Sequence, residues 1–189
     1  LKLFSSIVIF SIAATQVYAQ LPGKIEKTGQ VLLPNGWKLN PAGTSLPLGD
    51  LPLNIQLSAS GRLMAVTNNG QSTQSVQLID PKNEKLLDEK VISKSWYGLA
   101  FSHDEKVLYA SGGNDNRILG YHIEDNKLGK ADTIKLAPQS WPKDKICPTG
   151  IAVNKNDTRL YTVTKEDSAL YVVDLKTREV VKHVKLPAE

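Results

Sequence analysis

The stretch "TRLYTVTKEDSALYVVDLKT", residues 158–177, decides the fold. It reads as a strand rich in β-branched and aromatic residues, a charged turn, and a second strand of the same kind. One hairpin is compatible with many folds, but this one has counterparts. "RLMAVT" followed by "SVQLID" stands upstream of it, and "KVLYAS" followed by "RILGYHI" stands between.

Aligning these pairs yields a repeat. Leu57, Phe101 and Val153 each end a short apolar run, and their spacings are 44 and 52 residues. Each is followed by a polar turn: Ser58–Gly61, Ser102–Glu105 and Asn154–Asp157. Two apolar strands come next, separated by a polar loop. A second polar turn ("PKNEK", "EDNK" or "KTRE") leads into a more polar fourth strand. Four strands in roughly 40–50 residues, repeated, are the signature of a β-propeller blade. The predicted fold is therefore all-β, a β-propeller of four-stranded antiparallel blades. The first three strands of each unit are apolar enough to be buried on both faces, and the fourth alternates apolar and charged residues. Asp80 and Asp174 close the third strand, where a carboxylate accepts N–H groups of the following turn, and His122 takes that place in the middle unit.

The N-terminus differs from the repeats. Lys2 precedes an apolar run from Leu3 to Ala14, and Val17 and Ala19 stand as small residues before Gln20. This pattern predicts a signal peptide cleaved after Ala19 and export to the periplasm or beyond the cell. The run is short for the ~30 Å of a bilayer core, so an integral membrane protein is not expected after cleavage. The organisation expected is a signal peptide over 1–19, a lead-in over 20–50, a blade over 51–94, and a blade with an inserted loop over 95–146. A third blade and the start of the next occupy 147–189.

The 189 residues are 41% hydrophobic, and their net charge of +4 is spread along the chain. A nucleic-acid partner, which would call for a basic stripe with aromatics, is not expected. The single cysteine, Cys147, cannot form an intrachain disulfide and is expected to be half-buried and structural.

The pattern "PTGIAVN…TRLYTVT…SALYVVDLKTREV" resembles the YVTN-type repeat of the YncE-like bacterial seven-bladed propellers, and "YGLAFSHDEKVLYASGGNDNRILGYHIEDNKL" fits it as well. The resemblance covers about residues 50–189. The lead-in "QVLLPNGWKLNPAGTSLPLGDLP" is similar to the start of secreted proteins that join such a propeller to an alkaline-phosphatase-like phosphoesterase domain. The resemblance implies seven blades, about 300 residues at ~40–45 each, so the sequence is expected to be a fragment. It opens on Leu and ends at Glu189, just past Pro187, the counterpart of Pro52 and Pro148. Residues 44–49, "TSLPLG", are expected to complete the outer strand of the last blade.

No catalytic residue, metal site or cofactor is expected. The three histidines, His103, His122 and His183, lack partners at ligand spacing, and no HExxH, CxxC, phosphate-binding glycine loop or GxSxG elbow occurs. "SGGND", 111–115, reads as a tight interstrand loop. Ligand-binding candidates lie in the loops that gather on one propeller face. These are 68–74, 112–116 and 165–168, with the connections "SKSWYG" and "APQSWPKDKICPTG", the latter carrying eight extra residues. Trp96 and Trp141 are candidates to stack on an apolar or sugar-like ligand, and Asn114, Asp115 and Asp167 to hold polar groups or a cation. Three functions follow: an exported module binding a ligand or protein partner ahead of a phosphoesterase domain, a lactonase-like propeller enzyme with two convergent carboxylates, or a structural surface protein.

Overall fold

The computed structural model describes residues 30–40, 42–138 and 140–187. The expected signal peptide falls outside them. The chain divides into two units, 1–45 and 46–189. In the first, β1 (Val31–Leu32) pairs antiparallel with β2 (Lys38–Leu39) across a turn in which Gly36 takes a positive φ of 83°.

The second unit holds three four-stranded antiparallel sheets, each a simple meander. Blade A is β3 (Pro52–Leu57), β4 (Met64–Asn68), β5 (Ser75–Asp80) and β6 (Lys85–Val91). Blade B is β7 (Leu99–Phe101), β8 (Val107–Ser111), β9 (Arg117–Glu124) and β10 (Lys127–Lys135). Blade C is β11 (Pro148–Val153), β12 (Arg159–Thr164), β13 (Ala169–Asp174) and β14 (Glu179–Lys185). This is the predicted propeller fold. Leu57, Phe101 and Val153 are the last residues of the three inner strands. Pro52 and Pro148 open β3 and β11, where a residue without an N–H is tolerated. Residues 44–49 form no strand; Gly49 N donates instead to Gln77 Oε1 on blade A at 3.2 Å. Among the described residues, no helix is long and apolar enough to cross a membrane.

Strand alternation sends successive side chains to opposite faces, so blade B faces two neighbours. Leu108, Ala110, Leu119 and Tyr121 join Ala65, Val76 and Leu78 of blade A in one core. Tyr109, Ile118 and Ile134 join Leu160, Ala169, Tyr171 and Val173 of blade C in another. Burial on both faces therefore holds for β8 and β9. In blade C it holds for one face only: Leu160, Thr162 and Thr164 are buried, while Tyr161 and Val163 are exposed. The innermost strands also depart from expectation, because Ile55 and Leu57 of β3 are more than half exposed, at 57% and 55%.

The inner turns are built alike. Ser58, Ser102 and Asn154 each accept, through their side-chain oxygen, the N–H five residues on: Leu63 at 3.1 Å, Val107 at 2.9 Å and Arg159 at 2.8 Å. The fourth residue of each turn, Gly61, Glu105 or Asp157, is left-handed, with φ of 73°, 57° and 53°. At that position the carboxylates reach the preceding blade. Glu105 of blade B accepts Ser60 N and, at 2.8 Å, Ser60 Oγ of blade A. Asp157 of blade C accepts His103 N at 2.8 Å and Asp104 N at 3.1 Å of blade B. Blades B and C are thus each clasped to the blade before.

The backbone N–H of Ser60, with its hydroxyl and the Arg62 charge, holds the Glu105 carboxyl below its ordinary value of 4.5. A lowered folded value means that the clasp contributes fully above pH 4.5 and is lost as pH falls through the folded value. Glu105→Gln is expected to cost about 1–2 kcal/mol at neutral pH and to flatten the acid limb of a thermal-stability profile recorded by circular dichroism. An unchanged acid limb would show that Glu105 does not carry the clasp.

Candidate ligand-binding face

At the strand ends opposite the clasped turns, the loops of all three blades gather as the repeat predicts. They surround a cleft of about 480 Å³ lined by Asn69 and Gln74 of blade A, by Lys94, Ser95 and Trp96, by Gly113 and Asn114 of blade B, and by Asp144, Cys147, Lys165 and Glu166. Two cations and two carboxylates leave it without excess charge.

The cleft depends on a close approach of two backbones. "SGGND" contains a 3-10 turn, Gly113–Asp115, pressed against the connection between blades A and B. A Cβ on Gly113 would stand 2.5 Å from the Lys94 carbonyl oxygen, and Gly113 has a φ of 49°, so only glycine suits it. Ser111 Oγ accepts Gly113 N at 2.9 Å and donates to the Pro148 carbonyl at 2.6 Å, fixing the turn to blade C. Gln74 Oε1 accepts Ser95 N at 3.0 Å. The Ser95 hydroxyl, in contrast, is buried without a hydrogen-bond partner among the described residues. Trp96 stands beside it, 36% exposed.

Asn116, which sequence reasoning did not single out, organises the inserted connection. It is left-handed, with φ of 54°. Its side chain donates to the Pro142 carbonyl at 2.9 Å and accepts Ile146 N at 3.0 Å and Cys147 N at 3.3 Å. Asparagine tolerates this backbone and supplies both a donor and an acceptor, as a buried loop requires. The only sequence signal was its place in a loop facing an unusually long connection. Cys147 below it is fully buried rather than half-buried, and burial pushes its thiol above the ordinary range.

The five predicted residues fall in three places. Trp96 and Asn114 line the neutral cleft. Asp115 and Trp141 line a second cleft of about 290 Å³ on the other side of the 3-10 turn. Asp115 already has partners there: Arg117 at 3.0 Å, Lys143 at 3.3 Å and Ser93 Oγ at 3.4 Å. Trp141 belongs to neither core cluster and is 43% exposed. Asp167 lines neither cleft. It accepts Thr164 Oγ1 and, at 2.6 Å, the Tyr171 hydroxyl within its own hairpin, with His183 Nε2 at 3.7 Å. Burial and that bond to Asp167 raise the Tyr171 hydroxyl well above the phenol range. The histidines are separate, each beside a different aspartate: His103 by Asp157, His122 by Asp132 and His183 by Asp167. Among the described residues no three metal-ligating side chains come together.

Asn116→Ala would strand two buried N–H groups and a carbonyl, and is expected to cost about 2–4 kcal/mol. It should also speed the reaction of Cys147 with an aromatic disulfide reagent, since the connection above the thiol loses its anchor. Asn116→Asp, which keeps the acceptor but loses the donor, should fall between the two. Equal thiol rates in all three proteins would refute the anchoring role.

No family model and no curated protein matches the chain. Solved structures do. Hydrazine synthase of Kuenenia stuttgartiensis superposes with a TM-score of 0.58 and 20% identity, over 76% of this chain and 38% of that one. A luciferin-regenerating enzyme superposes with a TM-score of 0.57 and 15% identity, over 70% of this chain and 45% of the other. The chain spans less than half the length of either. At such identities the likeness concerns architecture alone, and the architecture shared is the β-propeller.

Proposed function

We propose that this chain is an exported ligand-binding propeller module that binds neutral, hydroxyl-bearing molecules in the cleft shared by its three blades. The observation that carries the reading is the buried, unpartnered Ser95 hydroxyl beside the exposed ring of Trp96. Burying a hydroxyl without a partner is costly, and a ligand hydroxyl in the cleft would supply one. Asn114 adds an amide group that can both donate and accept, Gln74 holds Ser95 in place through its amide oxygen, and balanced charge favours no ion. An aromatic wall with amides and hydroxyls suits a sugar-like ligand, which offers apolar C–H faces and many hydroxyls.

A lactonase-like enzyme would need convergent carboxylates. Asp115 and Asp167 are held apart, each engaged by its own partners; of the two carboxylates that do share the neutral cleft, Asp144 and Glu166, the latter is paired with Lys165 at 2.9 Å, so the binding reading is preferred. The apolar N-terminal run and the small residues before Gln20 support export. The similarity of the lead-in and repeats to YncE-like propellers fused to phosphoesterases supports a place at the N-terminal end of a longer hydrolase.

A panel of methyl glycosides titrated into the isotope-labelled protein tests the reading. At least one should bind saturably and shift the amide signals of Ser95, Trp96 and Asn114. Trp96→Ala should weaken that binding about tenfold or more, the loss of one stacked ring, with the melting temperature unchanged. Saturable binding that Trp96→Ala leaves intact, or no binding across the panel, would overturn it.

A further inference from the structure

The second cleft differs in charge from the first. Its walls carry three cations, Arg117, Lys135 and Lys143, and one carboxylate, Asp115. Asp115 is largely buried and is bracketed by Arg117 and Lys143, so it is already neutralised and is not open to a cation. Lys135 is exposed and has no ion-pair partner among the described residues. Arg117 spends one terminal nitrogen on Asp115, and its Nε is buried without a hydrogen-bond partner among the described residues. A guanidinium carries five N–H donors in a planar fork, so this side chain retains unused donors in a cleft with two positive charges in excess. The exposed Trp141 ring supplies a flat apolar wall. Trp141, Lys143 and part of the wall belong to the inserted connection pinned by Asn116, so the feature is specific to the junction of blades B and C.

We infer that this cleft binds a small organic anion carrying a flat ring, with the anionic group at Arg117, Lys135 and Lys143 and the ring against Trp141. Charge draws the ligand in, and the stacked ring discriminates it from inorganic anions, because exposed charges alone are weakly held and screened by salt. The inference is independent of the neutral cleft and reassigns Asp115 from ligand contact to a positioning residue for Arg117 and Lys143.

Phenyl phosphate, inorganic phosphate and phenol serve as probes, each followed by indole fluorescence and by indole N–H shifts. Phenyl phosphate should bind saturably, about fivefold or more tighter than phosphate, and phenol should not saturate. Lys135→Gln and Lys143→Gln should each weaken phenyl phosphate by about two- to fivefold. Salt at 0.5 M, with a Debye length of ~4 Å, should weaken it further. Trp141→Ala should abolish the preference for phenyl phosphate over phosphate, whereas Trp96→Ala should leave it unchanged. Phenol binding as tightly as phenyl phosphate would overturn the inference, and so would lysine variants without effect. If Trp96→Ala removes binding and Trp141→Ala does not, the anion occupies the neutral cleft and this inference fails while glycoside binding stands on its own test.

Discussion

A four-stranded blade has two faces and cannot bury both by itself, so everything in this molecule depends on how one blade meets the next. Two interactions of different character meet that need. Alternate side chains of β8 and β9 fill the two cores on either side of blade B, which supplies most of the driving force. The carboxylates of Glu105 and Asp157 add the direction. A carboxylate aimed at specific backbone N–H groups is short-ranged and angular, so it adds a directional constraint on the register between blades. The left-handed backbone at Glu105 and Asp157 is what turns these side chains toward the neighbour.

Among the described residues the opposite end of the blades has no carboxylate clasp; Ser111 Oγ reaches the Pro148 carbonyl there, and the rest is given over to loops. There the same backbone turn, Gly113–Asp115, separates two surfaces of contrasting chemistry. One side has balanced charges, amides and an unpaired hydroxyl. The other has a surplus of cations. Adjacent residues of that turn serve different clefts: Asn114 lines one and Asp115 the other, where Asp115 gathers Arg117 and Lys143.

The strands were legible because their information is local. A run such as "KVLYAS" has one sensible conformation, and the turn after Phe101 announces itself by polarity. The site was legible only in outline. Loops on one face can be assigned from topology, and Trp96 and Asn114 do share a cleft. Asp167 could not be placed, because its bonds to Thr164 and Tyr171 depend on hairpin register and on hydroxyl directions that no spacing encodes. Asn116 was invisible for a related reason: its three partners lie 26–31 residues away. The exposure of Ile55 and Leu57 was missed because apolar composition reports what a strand is able to bury, not whether anything lies across it.

The clasps also run in one direction. Each is made by a residue of the later blade upon backbone of the earlier one, while the earliest of the three turns has Gly61 at the corresponding position and reaches for nothing. Elsewhere the sense is reversed: Asp88 of blade A accepts Leu128 N of blade B at 2.8 Å, and Ser111 of blade B donates to the Pro148 carbonyl of blade C at 2.6 Å. Neighbouring blades thus hold one another mutually, and the turn position sets the sense of only one set of these bonds.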